Sequence, residues 1–346
     1  MAGFRSVPAE PVIVQALRGS RPERLPVWFM RQAGRSLPEY RATRAGTAML
    51  DACLTPELAA EITLQPVRRH GVDAAVFFSD IVVPLKLAGV DVEIVPGRGP
   101  VFGRPVRDAA DLADLVAHDL PDDAFAPIEE AVARTVAELG PDVPLLGFAG
   151  APFTLAAYVV EGGPSKDHLR ARTLMHADPE AWRTLTEHLA RVSGAFLRAQ
   201  VRAGASAVQL FDSWVGSLSE ADYRTHVLPA SAATLAEVPE VPRIHFGTGT
   251  PHLLPALRDA GADAIGVDHR IPLDAASALL GGDVPVQGNI DPALLGAPWP
   301  VLEAHLEAVA AAGRAAPAHV LNLGHGVPPE TDPGVLTRIV EWAHGR

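Results

Sequence analysis

Four arginines follow a short apolar segment near the start of the chain, within W-F-M-R-Q-A-G-R-S-L-P-E-Y-R-A-T-R from Trp28 to Arg44. The residues Pro26 to Met30 predict a buried strand, and Ala33-Gly34 then lets the backbone turn close to whatever Arg31 and Arg35 hold. A guanidinium presents a planar fork of donors that matches a carboxylate or a phosphate. The segment therefore predicts an anion-binding site where a strand meets a loop.

A solvated surface turn, whose arginines pair with Glu39 and other acids, is the alternative for this cluster. The chain has 29 lysines and arginines against 41 aspartates and glutamates, which gives a formal net charge of -12. Such a charge argues against nonspecific binding to nucleic acid or to an anionic membrane. The arginines would then form a local positive site within an acidic protein.

Length and composition predict a soluble globular protein with a large core. The chain has 346 residues, of which 48% are hydrophobic, and α/β barrels of this length commonly form one domain. We therefore expect a single domain over residues 1–346. No apolar run approaches transmembrane length, and Arg5, Pro8 and Glu10 interrupt the apolar character of the N-terminus. These features predict a cytoplasmic protein without a signal peptide or a membrane anchor.

Metal, redox and nucleotide chemistry find little support in the residue types. Cys53 is the single cysteine, which excludes an internal disulfide framework and every multi-cysteine metal site. His245, His252 and His269 have no ligand-like partner four residues away, so we predict no metal. No G-x-G-x-x-G segment stands at a strand-to-helix junction.

Short β-rich runs alternate with Ala- and Leu-rich helical patterns along the whole chain. Eight strands are predicted: Pro26 to Met30, Ala74 to Phe78, Pro144 to Phe148, Ala207 to Phe211, Arg243 to Phe246, Ala264 to Val267, Val284 to Gln287 and Val320 to Leu323. Helices are predicted between them, among others at Pro56 to His70, Pro127 to Leu139, Pro179 to Ala203 and Pro300 to Ala312, with Thr55 and Asp178 as N-caps. Eight such units predict an α/β fold, a (β/α)8 TIM barrel, and a doubly wound sheet is the alternative.

Polar residues and glycines follow every predicted strand. They are Arg31, Ser79-Asp80, Gly150-Ala151-Pro152, Asp212-Ser213-Trp214, Gly247-Thr248-Gly249, Asp268-His269-Arg270, Gly288-Asn289-Ile290-Asp291 and Gly324-His325-Gly326. In a TIM barrel the carboxyl ends of all strands open into one cleft, where the active site lies. We therefore expect these residues to line a shared mouth.

The same segments resemble the uroporphyrinogen decarboxylase family. F-M-R-Q-A-G-R-S-L-P-E-Y-R and G-F-A-G-A-P-F-T-L-A-A-Y-V-V-E-G-G, from Gly147 to Gly163, are similar to its two signature segments. Further matches follow in order, so the resemblance spans essentially the whole chain: F-F-S-D-I, Q-L-F-D-S-W, G-N-I-D-P and L-N-L-G-H-G.

The resemblance implies an activity, an assembly and a set of contacts. It implies a cofactor-independent carboxy-lyase that converts the four acetate side chains of uroporphyrinogen III to methyl groups, giving coproporphyrinogen III on the way to haem. It also implies a homodimer. The substrate-binding residues that it implies are Arg31, Gln32, Ala33, Gly34, Arg35, Asp80, Tyr158, Ser213 and His325, with Asp80 catalytic.

The residues fit a tetrapyrrole that has carboxylates at its rim and four N–H donors at its centre. Arg31 and Arg35 could hold the rim, and Asp80 could accept the converging N–H bonds. Because no cofactor motif offers an electron sink, a protonated pyrrole has to take the electrons of the breaking C–C bond. Asp80 would stabilise the developing cation, although it could instead cap a helix or pair with an arginine.

The other implied contacts have ordinary structural alternatives. Tyr158 could be a core residue with a satisfied hydroxyl, Ser213 could cap the helix after its strand, and His325 could bind a backbone carbonyl. Phe148 and Phe211 could form apolar walls against the macrocycle or could simply be core residues.

Two other functions compete with the decarboxylase. The first is a zinc-dependent corrinoid or methionine-synthase-like methyltransferase, in which cysteine and histidine ligands hold zinc to activate a thiol; Cys53 lies before a helix and not at a late strand end. The second is a non-catalytic barrel that binds tetrapyrroles or a protein partner, against which the intact Asp80, Arg31 and Arg35 argue.

Overall fold

A curled sheet of seven parallel strands forms the centre of the fold in the part of the chain that the structure describes. The computed structural model describes residues 10–118, 120–121 and 123–346, so Arg5 and Pro8 lie outside the described residues. Sequential strands are neighbours throughout, in the order β1-β4-β5-β6-β7-β8-β9. These strands are β1 (Ala75–Val76), β4 (Leu145–Gly150), β5 (Ala207–Asp212), β6 (Arg243–Gly247), β7 (Ala264–Gly266), β8 (Val286–Ile290) and β9 (His319–Leu323).

An antiparallel hairpin outside this sheet was not predicted. It consists of β2 (Val92–Val95) and β3 (Gly99–Phe102), whose residues pair from Val92 with Phe102 to Val95 with Gly99. The hairpin lies in the long connection between β1 and β4.

Helices cover the sheet, and the four predicted from the sequence are present within one residue at each end. Their bounds in the described residues are α1 (Val12–Leu17), α2 (Pro38–Thr43), α3 (Met49–Leu54), α4 (Pro56–His70), α5 (Val83–Leu87), α6 (Ala109–Ala117), α7 (Ala126–Glu138), α8 (Pro152–Glu161), α9 (Leu169–Ala177), α10 (Pro179–Arg202), α11 (Glu220–His226), α12 (Leu228–Leu235), α13 (Leu254–Asp259), α14 (Leu273–Leu279), α15 (Trp299–Gly313) and α16 (Pro333–His344). Short 3-10 helices occupy Val215–Ser217, Pro251–Leu253 and Pro292–Gly296. No helix among the described residues combines the length and apolarity needed to cross a membrane.

Both predicted N-cap residues stand at the N-cap position of their helix, but only one of them caps it through its side chain. The Asp178 carboxylate accepts the backbone N–H of Ala181 at 3.0 Å, as an N-cap should. The hydroxyl of Thr55 instead donates at 2.8 Å to the carbonyl of Asp51 in the preceding helix.

The predicted first strand, Pro26 to Met30, was wrong as a strand. It forms an isolated parallel bridge, in which Val27 faces Leu321 of β9. The N–H of Trp28 still donates to the carbonyl of Leu321 at 3.3 Å. The next two N–H groups donate to side chains: that of Phe29 to Gln32 Oε1 and that of Met30 to Asn322 Oδ1, each at 3.0 Å. A ladder cannot continue where side chains take the backbone donors.

This segment nevertheless lies between the two ends of the sheet. On one side Leu321 donates its N–H to the carbonyl of Pro26 at 2.8 Å. On the other side the N–H of Asp73, just before β1, donates to the carbonyl of Val27 at 2.8 Å, and the Asp73 carboxylate accepts the N–H of Val27 at the same distance.

A chain of buried side-chain hydrogen bonds crosses the concave side of the sheet. Trp28 Nε1 donates to Gln287 Oε1 at 3.0 Å, and Gln287 Nε2 donates to Gln209 Oε1 at 2.7 Å. All three side chains are buried. Since β5 and β8 are not neighbours in the sheet, this contact between Gln209 and Gln287 shows how strongly the sheet curves.

His319, on β9, is a titratable side chain buried in the interior of the fold. Its Nε2 lies 2.7 Å from the carbonyl of Gly288, and a Cβ placed at Gly313 would overlap its ring, so this packing requires a glycine. Desolvation by burial lowers the pKa of His319 to about 4. The ring is therefore neutral in the native state at neutral pH.

We expect His319 to destabilise the fold as the pH falls from about 6.5, the ordinary histidine pKa, to about 4. In that window the unfolded chain binds the proton and the native chain does not, so the free energy of unfolding rises with pH by up to about 1.4 kcal/mol per pH unit. His319→Gln should reduce this slope by about 1.4 kcal/mol per pH unit, which is the contribution of one proton. Urea unfolding across the window measures it, and identical slopes for the two proteins would contradict the assignment.

Candidate active site

Arg31, Asp80, Tyr158 and His325 meet where the strands end. The positive charge of Arg31 affects the pKa values of the other three side chains, and the charge of Asp80 affects that of Tyr158. They come from the turn after Met30, the loop after β1, the helix α8 and the loop after β9. The structure therefore brings together four residues that the sequence places far apart.

The turn that presents Arg31 is held from several sides. Arg31 has a left-handed backbone, with φ at 59°, and a Cβ placed at Gly326 would overlap its side chain. The carbonyl of Met30 accepts the N–H of Val327 at 2.9 Å, which ties the loop after β9 to this turn. Gly326 is thus required for close approach of the two segments.

Gln32 is buried beneath the turn and its side chain serves the backbone. Its Oε1 accepts the N–H of Phe29 at 3.0 Å, and its Nε2 donates to the carbonyl of Ala74 at 3.0 Å. Ala33 and Gly34, which continue the turn, are half-buried.

Arg31 and Arg35 are exposed and, among the described residues, neither forms an ion pair. The alternative in which the cluster pairs with Glu39 was wrong, because Glu39 binds Arg69 through two hydrogen bonds of 2.5 and 2.7 Å. The guanidinium groups of Arg31 and Arg35 therefore remain available to bind an anion at this end of the sheet. Further along, Arg44 lies over the ring of Tyr40, 5.7 Å from its centroid.

Asp80 is half-buried, and its carboxylate is bound by the backbone. Its Oδ1 accepts the N–H of Val82 at 3.1 Å. The capping alternative was wrong, because the N-cap residue of α5 is Val82 and no side chain caps that helix, and the described residues include no salt bridge to Asp80. Burial raises the pKa of Asp80, and the Val82 N–H and the charge of Arg31 oppose that shift.

Tyr158 faces this carboxylate from α8. Burial and then the charge of Asp80 raise the pKa of Tyr158, which keeps its hydroxyl protonated and able to donate. The ring meets that of Trp214 edge to face, with centroids 5.8 Å apart. Tyr158 is half-buried, so it is not only a core residue.

A single threonine joins the Tyr158 helix to the loop after β5. Thr154 Oγ1 donates to the buried carboxylate of Asp212 at 2.8 Å and accepts the N–H of Trp214 at 3.3 Å. This role of Thr154 was not predicted from the sequence.

Ser213 and His325 occupy the loops after β5 and β9. The alternative in which Ser213 caps a helix was wrong, because the following 3-10 helix begins after Trp214 and has no side-chain cap. Instead the carbonyl of Ser213 accepts the Thr248 hydroxyl at 2.7 Å. Desolvation and then the charge of Arg31 lower the pKa of His325, so its ring is neutral at neutral pH.

Three phenylalanines line the concave side of the sheet near its carboxyl end. Phe148, Phe211 and Phe246 share the face of Gln209, because side chains alternate along a strand and neighbouring parallel strands keep register. Phe211 packs edge to face on both others, with centroids 5.5 and 6.1 Å apart. Phe148 is buried and is a core residue, whereas Phe211 is partly exposed and can contact a ligand on the concave side.

The fold is similar to those of solved methyltransferases. A methyltransferase from Methanosarcina mazei matches with a TM-score of 0.80 at 20% identity, over 95% of this chain and 96% of that one. A B12-independent methionine synthase from Shewanella sp. W3-18-1 matches with a TM-score of 0.56 at 12% identity, over 83% of this chain and 87% of that one. At such identities the likeness shows the fold alone.

Sequence comparison is far more specific. A family model described as "Uroporphyrinogen decarboxylase (URO-D)" matches residues 9–346. A protein from Arthrobacter sp. (strain FB24) named uroporphyrinogen decarboxylase is 66% identical to this chain, with 97% of each chain covered. A protein of the same name from Leifsonia xyli subsp. xyli is 64% identical to this chain, with 96% of this chain and 94% of that one covered. Because these matches extend over nearly the whole chain and through every segment of the site, the chain belongs to the uroporphyrinogen decarboxylase family.

Proposed function

We propose that this chain removes carbon dioxide from the four acetate arms of uroporphyrinogen III, giving coproporphyrinogen III in haem biosynthesis. The observation that carries the proposal is the Asp80 carboxylate, which is half-buried, free of any salt bridge among the described residues and adjacent to the unpaired Arg31. The family membership agrees with it.

The anionic rim of the substrate suits the exposed arginines. Arg31 and Arg35 bind acetate or propionate carboxylates through paired N–H donors, and the Gln32-Ala33-Gly34 backbone between them follows the substrate edge. Tyr158 donates its hydroxyl to a carboxylate, and Ser213 and His325 bind further rim or pyrrole groups. Phe211 packs against the macrocycle.

Asp80 acts at the substrate's centre. Its carboxylate accepts pyrrole N–H bonds, which offset the desolvation that raises its pKa. Protonation of a ring carbon beside an acetate-bearing position gives an iminium cation, which the ionised Asp80 stabilises. The C–C bonding electrons then move into the ring, carbon dioxide leaves, and the exocyclic carbon takes a proton to become a methyl group. The ring carbon finally loses the proton that it gained in the first step, which restores the pyrrole.

Arg31 is assigned to binding and not to proton donation. A guanidinium stays protonated far above neutral pH and is a poor acid. Its charge also lowers the pKa of Asp80, which favours the ionised form that the mechanism needs.

We further propose that the sheet closes into a single-domain (β/α)8 barrel over residues 1–346. The segment Pro26 to Met30 supports closure, because Pro26 and Val27 bond both to β9 and to the residue before β1. Within this proposal the segment replaces the eighth strand. A homodimer and a cytoplasmic location, as the family resemblance implies, remain predictions.

The methyltransferase alternative has less support. Zinc activation of a thiol needs cysteine and histidine ligands at the strand ends. Cys53 is the only cysteine in the sequence, it is buried, and burial raises its thiol pKa well above the usual range. Such a thiol is a poor metal ligand, because metals bind the thiolate.

We expect Asp80→Asn to lower kcat by about 10²- to 10³-fold, since it removes the charge that stabilises the cation. Anaerobic assays with uroporphyrinogen, resolved by carboxyl number, measure the rate. Asp142→Asn, which removes an exposed loop aspartate before β4, is the matched control and should retain the wild-type rate. An unchanged rate in Asp80→Asn, with the fold intact by circular dichroism, would refute the central role of Asp80.

Arg31→Ala and Arg35→Ala should each raise the substrate KM by about 10- to 100-fold, because each removes a charge-assisted fork worth about 1.5–3 kcal/mol. Steady-state kinetics at low and high salt test this. Arg183→Ala, on the exposed face of α10, is the control. Wild-type KM values in both site variants at both salt concentrations would make these arginines surface features.

Activity should survive exhaustive chelation and dialysis, because the substrate's own pyrrole is the electron sink in this mechanism. The assay follows carbon dioxide release and looks for methyl transfer to added thiols, which we expect to be absent. Loss of activity with EDTA and recovery with zinc would favour the methyltransferase instead.

A further inference from the structure

A group of three metal-ligand side chains lies between two helices that follow β4 and β5. His176 comes from the last turn of α9, and Asp222 and His226 come from α11. One ligand atom from each residue lies within 4.8 Å of both others. The cluster shares no residue with the proposed catalytic site.

The spacing on α11 suits chelation. Asp222 and His226 are four residues apart, which places them on one face of the helix, and His176 faces them from α9. The cluster was not predicted from the sequence, because His176 and Asp222 stand 46 positions apart along the chain.

The donor atoms have no competing bonds among the described residues. His176 Nε2 lies 3.7 Å from Asp222 Oδ1, which is longer than a hydrogen bond. The imidazole rings of His176 and His226 meet edge to face, with their centroids 5.7 Å apart. The nearby Arg224 is engaged by Glu220 and Asp259. Among the described residues, no lysine or arginine forms an ion pair with Asp222.

The backbone that carries the ligands is firmly anchored. Trp182, a buried residue at the start of α10, donates its Nε1–H to the carbonyl of His226 at 2.9 Å. Ser219 caps α11 by accepting the N–H of Asp222 at 3.1 Å, and Tyr223 of the same helix is fully buried. Ligands on rigid elements lose little freedom when an ion binds.

We propose that His176, Asp222 and His226 bind one divalent transition-metal ion, of which Zn²⁺ is the representative. Two imidazoles and a carboxylate match the preference of Zn²⁺ and Co²⁺ for nitrogen and oxygen donors, and water completes the coordination. Bonds of about 2.0–2.2 Å require the ligand atoms to approach to about 3.4 Å. The side chains can make this adjustment, since that of His176 is 53% exposed. The bound ion cross-links α9 to α11.

Titration of the metal-free protein with Zn²⁺ against a competing chromophoric chelator tests the proposal. The wild type should bind one ion per chain, and His176→Gln and His226→Gln should each weaken binding at least about tenfold. Glu220→Gln, which removes a carboxylate of α11 outside the cluster, should bind as the wild type does. Circular dichroism in EDTA confirms that each variant is folded.

A second probe identifies the donors. Co²⁺ should give visible d–d bands without the near-ultraviolet sulfur-to-metal band that a Cys53 thiolate would produce. Absence of saturable binding by the wild type, wild-type affinity in both histidine variants, or a sulfur band would each overturn the proposal. These measurements are independent of turnover, so they stand or fall separately from the proposed decarboxylation.

Discussion

The need to satisfy buried polar groups inside the curled sheet is the constraint on which the rest of the structure depends. Trp28, Gln287 and Gln209 lie in an apolar interior, where an unpaired N–H or carbonyl costs about 1–3 kcal/mol. Their mutual bonds can form only if β5, β8 and the segment before Arg31 approach each other across the concave side. The position of Arg31 therefore follows from an interior network as well as from its own turn.

Opposing electrostatic effects act on the Asp80 carboxylate in the site. Burial disfavours charge on Asp80, while the backbone N–H groups of Val82 and Ile81 and the charge of Arg31 favour it, and burial is the largest of these effects on its pKa. The same arrangement raises the pKa of Tyr158 and lowers that of His325, so two neutral groups flank one acid and one fixed cation. Such a mixture suits a ligand that is anionic at its edge and a hydrogen-bond donor at its centre.

Hydrophobic patterning predicted seven strands of the sheet and four of the longer helices, because burial on both faces leaves a strong apolar signal. It was wrong about Pro26 to Met30 because apolar character reports burial and not where the backbone bonds go; there Gln32 and Asn322 take the donors. The hairpin Val92–Val95 with Gly99–Phe102 was missed because it lies outside the repeating units. Motifs located Arg31 and Asp80, but they do not show that Glu39 binds Arg69 or that Thr154 joins α8 to the loop after β5.

The Thr154 bridge has a consequence for how the family's sequences can diverge. One hydroxyl holds both the Asp212 carboxylate and the Trp214 backbone, and Trp214 packs on Tyr158 of the same helix. The helix α8 and the loop after β5 are thus held together by side-chain contacts. A substitution that displaces either one disturbs the other, so these two stretches should co-vary and be exchanged between homologues only as a pair.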